Sequence, residues 1–184
     1  MGSTFGPVLA NIFVGYHEER LSIDSKESLL VYRRYVDDTF SIRITENESE
    51  RFLGELNSLN PALKFTCESE ENGSLPFLDT RLTKENGGED AVSFSTAVYR
   101  KPTFTGQYTR WDSFSAKKHE ANLIKCLTNR VVKISSSNKL QEELQEIRNI
   151  FEKNGYPPCV VEKVMARLLS PKRKKTDQNL AQYS

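Results

Sequence analysis

The chain is poor in the residues that build covalent or metal-bound scaffolds. It has three cysteines and two histidines among 184 residues. Cys67, Cys126 and Cys159 are far apart and lack C-x-x-C spacing, so neither a disulfide framework nor a zinc site is indicated. His17 and His119 are too isolated for a histidine-based triad or metal cluster. No apolar run approaches the roughly 18 residues that would suggest a membrane span. The opening "MGSTFGPVLANIF" has no basic stretch ahead of an apolar one, which argues against a secretory signal. These absences predict a protein of a reducing, intracellular compartment with no disulfide partner and no membrane. A mean hydropathy of -0.57 and 37% hydrophobic residues still leave enough apolar side chains for a modest core.

Charge is divided along the chain. Residues 1–98 hold nine Lys/Arg against seventeen Asp/Glu, a net -8, and residues 99–184 hold seventeen against eight, a net +9. This division describes either two differently solvated faces or a basic half suited to a polyanion, with aromatics interleaved in "YRKPTFTGQYTRW".

Hydrophobic periodicity predicts an α+β chain. A helix is expected over 7–20, opened by Pro7 and with Val8, Leu9, Ile12 and Phe13 on one face. Strands are expected over 29–36 and 39–44, joined by a two-residue turn at Asp37–Asp38. A helix over 47–58 follows, then strands over 63–69, 75–83 and 91–99, set apart by the turn signals "ENGS" and "ENGGED". Beyond Pro102 three helices are expected, over 117–134, 138–153 and 158–169, the second stopped by "NGYPP". The boundary between a strand-rich half, 1–98, and a helical half, 99–169, is placed at residues 98–99. Residues 170–184 read as a disordered basic tail.

Two adjacent aspartates at a hairpin tip repel one another unless a cation lies beside them. Taken alone, "YRRYVDDTFSI" (32–42) is either a solvated turn or half of a site for magnesium, a hard oxygen-seeking ion. The surrounding motifs bear on this choice. "MGSTFGPVLANIFVGY" (1–16) resembles the reverse-transcriptase motif in which glycines open a helix beside the incoming nucleotide. "YRRYVDDTFSI" resembles the palm hairpin that follows it, and "LPFLDTRL" (75–82) the hairpin that grips the primer end. "AVYRKPTFTGQYTRWDSFS" (97–115) with "HEANLIKCLTNRVVKI" (119–134) is similar to the Penelope-like group of retroelement reverse transcriptases, where a helical thumb with a helix-turn-helix description follows the palm.

The resemblance runs from Met1 to about Leu169 and implies roles for particular residues. Asp37 matches the catalytic, metal-binding aspartate and Asp38 its less demanding neighbour, with Mg2+ as the ion. Tyr35 matches the aromatic lying against the primer terminus. Gly2, Ser3, Gly6 and Pro7 match the turn and helix start near the nucleotide, with Thr4 where the family usually has proline. Leu75, Pro76, Phe77, Leu78 and Asp79 match the primer grip. Tyr99, Arg100, Lys101 and Tyr108 would face the template and primer by stacking and phosphate contact, and an ordinary basic loop is the alternative. The implied partners are an RNA template, a DNA primer and, in the intact enzyme, deoxynucleotides.

The family pattern also requires a further metal-binding aspartate on a strand ahead of the glycine–proline helix, and a fingers region. Neither is found among these 184 residues. Glu18, Glu19, Asp24 and Asp79 do not occupy the required strand position. Met1 therefore reads as an internal methionine of an N-terminally truncated chain, a fragment of an RNA-directed DNA polymerase without turnover of its own. Residues 1–98 are expected to be marginally stable and the helical half steadier. The competing expectations are a non-catalytic nucleic-acid-binding protein that uses the basic half, and a decayed element copy. "SPKRKK" (170–175) resembles a nuclear import signal, with a solvated charge run as the alternative.

Overall fold

A computed structural model describes residues 4–21, 27, 29–43, 47–86 and 92–170. The chain divides into two compact units, Met1–Glu71 and Asn72–Ser184. Its architecture is mixed α+β with a helical C-terminal region, as the periodicity predicts.

The first unit holds helix α1 (Gly6–Glu18), strands β1 (Leu29–Tyr35) and β2 (Asp38–Arg43), and helix α2 (Asn47–Ser58). Its core is small: Leu21, Phe52 and Leu56 are buried, with Leu29, Tyr32, Leu59 and Phe65 packed against them. The Arg43 guanidinium lies 3.8 Å from the centre of the Phe52 ring, where the face of the ring attracts a cation. The expected apolar face of α1 is not part of that core. Val8, Leu9, Ile12 and Phe13 are all exposed, and helical spacing alone could not reveal that no described element covers them.

Three expectations change in detail. The strand predicted over 63–69 does not form, because the Asn57 side chain takes both backbone groups of Phe65. The Phe65 N–H donates to Asn57 Oδ1 (2.7 Å), and Asn57 Nδ2 donates to the Phe65 carbonyl (3.2 Å), so a side-chain amide replaces the neighbouring strand. The strand predicted over 75–83 is two strands, β3 (Ser74–Phe77) and β4 (Thr80–Asn86), folded back on one another with Phe77 opposite Thr80. The first hairpin turns one residue earlier than expected. Tyr35 pairs with Asp38, so the turn is Val36–Asp37 and Asp38 already belongs to β2. Ile44, the expected last residue of that strand, lies outside the described residues.

The second unit adds β5 (Val92–Val98) to β3 and β4 in an antiparallel sheet of order β3-β4-β5, then α3 (Lys117–Ile134), α4 (Ser137–Lys153) and α5 (Pro158–Leu169). The compact units thus part after Glu71, whereas the sequence reading placed a boundary after residue 98. The reason lies in the fastening of β5 to the helices. Ser136 precedes α4 but does not use its hydroxyl to cap that helix; it accepts the Thr96 N–H instead (2.8 Å). The Ser136 N–H donates to the Thr96 carbonyl (2.9 Å), and the Thr96 hydroxyl donates to the carbonyl of Ile134. Val98 joins Ile124, Val131, Leu144, Ile147, Ile150, Phe151, Tyr156, Val161, Val164 and Met165 in a single core. The three helices coincide with their predicted spans to within a residue, since each carries an apolar stripe, and α4 and α5 end at a Gly or Pro stop while α3 ends at a run of serines.

Candidate functional site

The first candidate is the tip of the β1–β2 hairpin. Asp37 and Asp38 are both exposed, and neither carboxylate has a hydrogen bond or ion pair with another described residue. Tyr35, opposite Asp38, is also exposed. Val36 has φ +57°, the left-handed region that a β-branched residue rarely enters. The same geometry recurs at the second hairpin, where Leu78 has φ +53° and is likewise followed by aspartate.

Arg34 braces the first turn. Its Nη1 donates to the Val36 carbonyl (3.2 Å) and to Asn11 Oδ1 (2.6 Å), while Nε and Nη2 form a two-pronged pair with Glu18 (2.7 and 3.0 Å). The Tyr32 hydroxyl donates to the same Glu18 (2.6 Å). Burial first, then this bond and the negative charge of Glu18, push the Tyr32 phenol far above its ordinary range. Arg34's own hydrogen bonds to Glu18 raise its guanidinium further above the ordinary value. Glu18 is therefore committed to joining α1 to β1 and is not turned toward Asp37. Asp24, Gly2 and Ser3 lie outside the described residues; Gly6 and Pro7 begin α1, with open space beside Gly6.

The strain at Val36 can be tested directly. Residue 36 is 60% exposed, so Val36→Gly loses little packing and relieves a backbone cost of about 1–3 kcal/mol. Glycine's greater freedom when unfolded returns about 0.5–1 kcal/mol of that gain. A net gain of about 1 kcal/mol should slow hydrogen exchange of the paired Arg33 and Phe40 amides roughly fivefold. Faster exchange would show that the turn is not strained.

The second candidate is a cleft of about 310 Å³ in the second unit. Of the sequence-predicted residues it gathers Asp79, Tyr99, Arg100, Lys101 and Tyr108, and it adds Thr103, Phe104 and Arg130, which sequence reasoning missed. Leu75, Pro76, Phe77 and Leu78 are not among its lining residues; they form β3 and the turn that presents Asp79. The Asp79 carbonyl accepts the Tyr99 N–H (2.8 Å), and its carboxylate pairs with Arg130 of α3 (2.8 Å). Arg130 Nε is buried without a hydrogen-bond partner among the described residues. Arg100 is not free for a ligand: its Nη2 donates to Glu143 of α4 (2.7 Å), a further residue the sequence did not flag. Lys101 is exposed. Phe104 meets Tyr108 edge to face, with ring centres 6.3 Å apart.

The turn between α4 and α5 holds this aromatic loop in place. Asn154 is buried; its Oδ1 accepts the Tyr108 N–H (2.9 Å), and its Nδ2 donates to the carbonyls of Gly106 (2.8 Å) and Ile150 (2.7 Å). Its own carbonyl accepts the Trp111 N–H (3.1 Å), and the Tyr156 hydroxyl donates to the Thr109 carbonyl (2.9 Å). At the far end of the loop, Lys117 donates to the Trp111 carbonyl (2.7 Å) and pairs with the buried Glu120. The sequence showed Asn154 only as part of a helix stop.

Helices α4 and α5 are joined by Asn154–Pro157, with Gly155 at φ +79°, the short glycine-containing connection characteristic of a helix-turn-helix. Residues 107–165 match the family model of the animal helix-turn-helix domain, spanning the anchored loop, α3, α4 and most of α5. No curated protein and no solved structure matches the chain at a significant level. Among the described residues no three His, Cys, Asp or Glu side chains gather as a metal site, and no helix is long and apolar enough to cross a membrane.

Proposed function

We propose that the chain is a nucleic-acid-binding part of a reverse transcriptase of the Penelope-like kind, its second unit holding the template–primer and its first carrying the aspartate tip of the palm. The observation that carries the binding reading is the cleft, where Tyr99, Phe104 and Tyr108 offer ring faces or edges beside the exposed Lys101, with Arg130 held by Asp79 at its wall. Rings accept bases by stacking whatever their sequence, and the lysine suits phosphate. The helix-turn-helix match over 107–165 and the division of charge support the same reading. Residues 72–184 hold nineteen Lys/Arg against twelve Asp/Glu, whereas residues 1–71 hold seven against thirteen. The finer assignment to a reverse transcriptase rests on the ordered motifs of the sequence.

Magnesium fits the hairpin tip only in part. Two adjacent exposed carboxylates suit a hard cation, but two-metal nucleotidyl transfer needs a further ligand between the ions, and the described residues supply none beside the pair. No catalytic step is therefore assigned to these residues alone. A second reading, nucleic-acid binding without catalysis, is favoured by that shortfall. Nuclear location belongs to the same proposal through the "SPKRKK" segment.

Purified chain is expected to bind a primed RNA–DNA hybrid in a fluorescence anisotropy titration and to incorporate no deoxynucleotide. Tyr99→Leu with Lys101→Gln should weaken binding about tenfold or more at unchanged thermal stability. Asp37→Asn should leave binding intact. Unchanged affinity in the double variant would remove the cleft from the proposal. Incorporation that Asp37→Asn abolishes would instead show a complete catalytic site.

A further inference from the structure

In a helix-turn-helix the second helix of the pair, here α5, is the ordinary reading element. The charge of this domain lies elsewhere. Helix α3 carries Lys117, Lys118, Lys125, Arg130 and Lys133 against a single carboxylate, Glu120, which is fully buried. Helix α4 carries three cations and four carboxylates, and α5 two cations and one carboxylate.

The exposed residues of α3 are also arranged. Lys118, Asn122, Lys125, Asn129 and Lys133 are all exposed and recur at spacings of three and four, so they fall on one stripe at about 3.6 residues per turn. From Lys118 to Lys133 the stripe is about 22 Å long at 1.5 Å per residue. It offers three cations and two amides and no acid.

These lysines also differ from Lys117 and Arg130 of the same helix, although Lys163 and Arg167 of α5 likewise form no ion pair with a described residue. Arg100, Arg110, Lys117, Arg130, Lys139 and Arg148 each have a carboxylate partner in the same unit. Lys118, Lys125 and Lys133 form no ion pair with any described residue. Three cations in line on one helix, with no ion pair among the described residues, form a surface complementary to a regularly spaced row of anions. The intervening asparagines can donate to phosphate or sugar oxygens without adding a repelling charge.

We propose that α3, rather than α5, lies along the backbone of a nucleic-acid duplex, with Lys118, Lys125 and Lys133 as phosphate contacts. This rests on the nucleic-acid-binding reading above and adds to it the surface used and the duplex as partner. Contacts of this kind position the protein without reading sequence, so affinity is set by salt more than by base composition.

The test measures binding of the full chain to a fluorescent 20-base-pair DNA duplex of mixed sequence across a salt series. The variants are K118Q/K125Q/K133Q and, for comparison, K163Q/R167Q on the exposed side of α5. Trp111 emission on heating checks that each remains folded. The triple variant is expected to bind about tenfold or more weakly and to lose about 2.7 from the slope of log affinity against log salt. The α5 variant should lose less on both counts. If the α5 variant loses affinity and slope while the triple variant keeps them, the α3 proposal is overturned and nucleic-acid binding stands. If the unaltered chain binds neither the duplex nor the primed hybrid, both readings fail together.

Discussion

Phe151→Ala is expected to destabilise the second unit by about 4 kcal/mol, within the range for deleting a buried aromatic ring. Phe151 is fully buried at the centre of the helical core, with the Tyr156 ring centred 4.8 Å away and Ile147, Ile150 and Met165 in the same cluster. The loss has two parts: the transfer free energy of the ring, and the contacts its neighbours forfeit around the cavity. At about 4–8 °C per kcal/mol for a unit of this size, the midpoint of thermal unfolding should fall by roughly 20 °C. The chain's single tryptophan is Trp111, packed 5.4 Å from Tyr156, so its emission follows the second unit alone. The β1–β2 hairpin belongs to the other unit, and its amide exchange should be unchanged. A fall of only a few degrees would mean that the helices close over the cavity and that the core is far less tightly packed than the burial of Phe151 indicates.

Asn154→Ala is expected to cost nearly as much, about 3 kcal/mol, although it removes only a small polar side chain. The amide satisfies the Tyr108 N–H and the Gly106 carbonyl and shares the Ile150 carbonyl with the backbone N–H of Asn154 (3.2 Å), so alanine leaves the first two without a partner. Each buried group left without a partner costs about 1–3 kcal/mol, reduced where water enters. Asn154→Asp separates the donors from the acceptor. An ionised carboxylate still accepts from Tyr108 but has nothing to donate to the two carbonyls, so at neutral pH the loss should equal or exceed that of alanine. The folded state of this variant favours the protonated acid, raising its pKa above the unfolded value. Stability should therefore recover as pH falls through that raised pKa toward the unfolded value, and be lost again as pH rises through it. Both substitutions should weaken binding to the primed hybrid, because they release the loop that sets Tyr108 in the cleft. Full stability in Asn154→Ala would show that the loop is held by Tyr156 and Lys117 alone.

The two substitutions mark the limit of what periodicity could show. Phe151 was legible: it lies on the apolar stripe of Leu140, Leu144 and Ile147, which here is buried, whereas the stripe of Val8, Leu9, Ile12 and Phe13 at the same kind of spacing is exposed. Asn154 was not, because "NGYPP" accounts for itself as a helix stop. Its three partners lie in its own helix and in a loop nearly fifty residues away in sequence. The Val36–Asp37 turn escaped for a related reason. Turn chemistry favours aspartate over valine at unusual backbone angles, yet the pairing of Tyr35 with Asp38 sets the phase of the strands and leaves Val36 to take the positive φ. The missing strand over 63–69 failed through an asparagine as well, again by a side chain taking the place of a backbone partner.

The candidate site divides in the same way. The adjacent aspartates, the aromatic and basic loop and the helical half were all visible in the sequence. That Arg100 is neutralised by Glu143 and Asp79 by Arg130 was not, and nor was the presence of Lys118, Lys125 and Lys133 as a line of charge unpaired among the described residues.

Local sequence by itself determined the α+β class, the three C-terminal helices and the uneven charge, because apolar spacing, helix stops and formal charge are properties of neighbouring residues. Tertiary structure alone decided the phase of the hairpins, the joining of β5 to the helices and the division of cations into paired and unpaired. Each of these depends on which distant group satisfies a backbone or side-chain charge, and that choice is made only when the chain is folded.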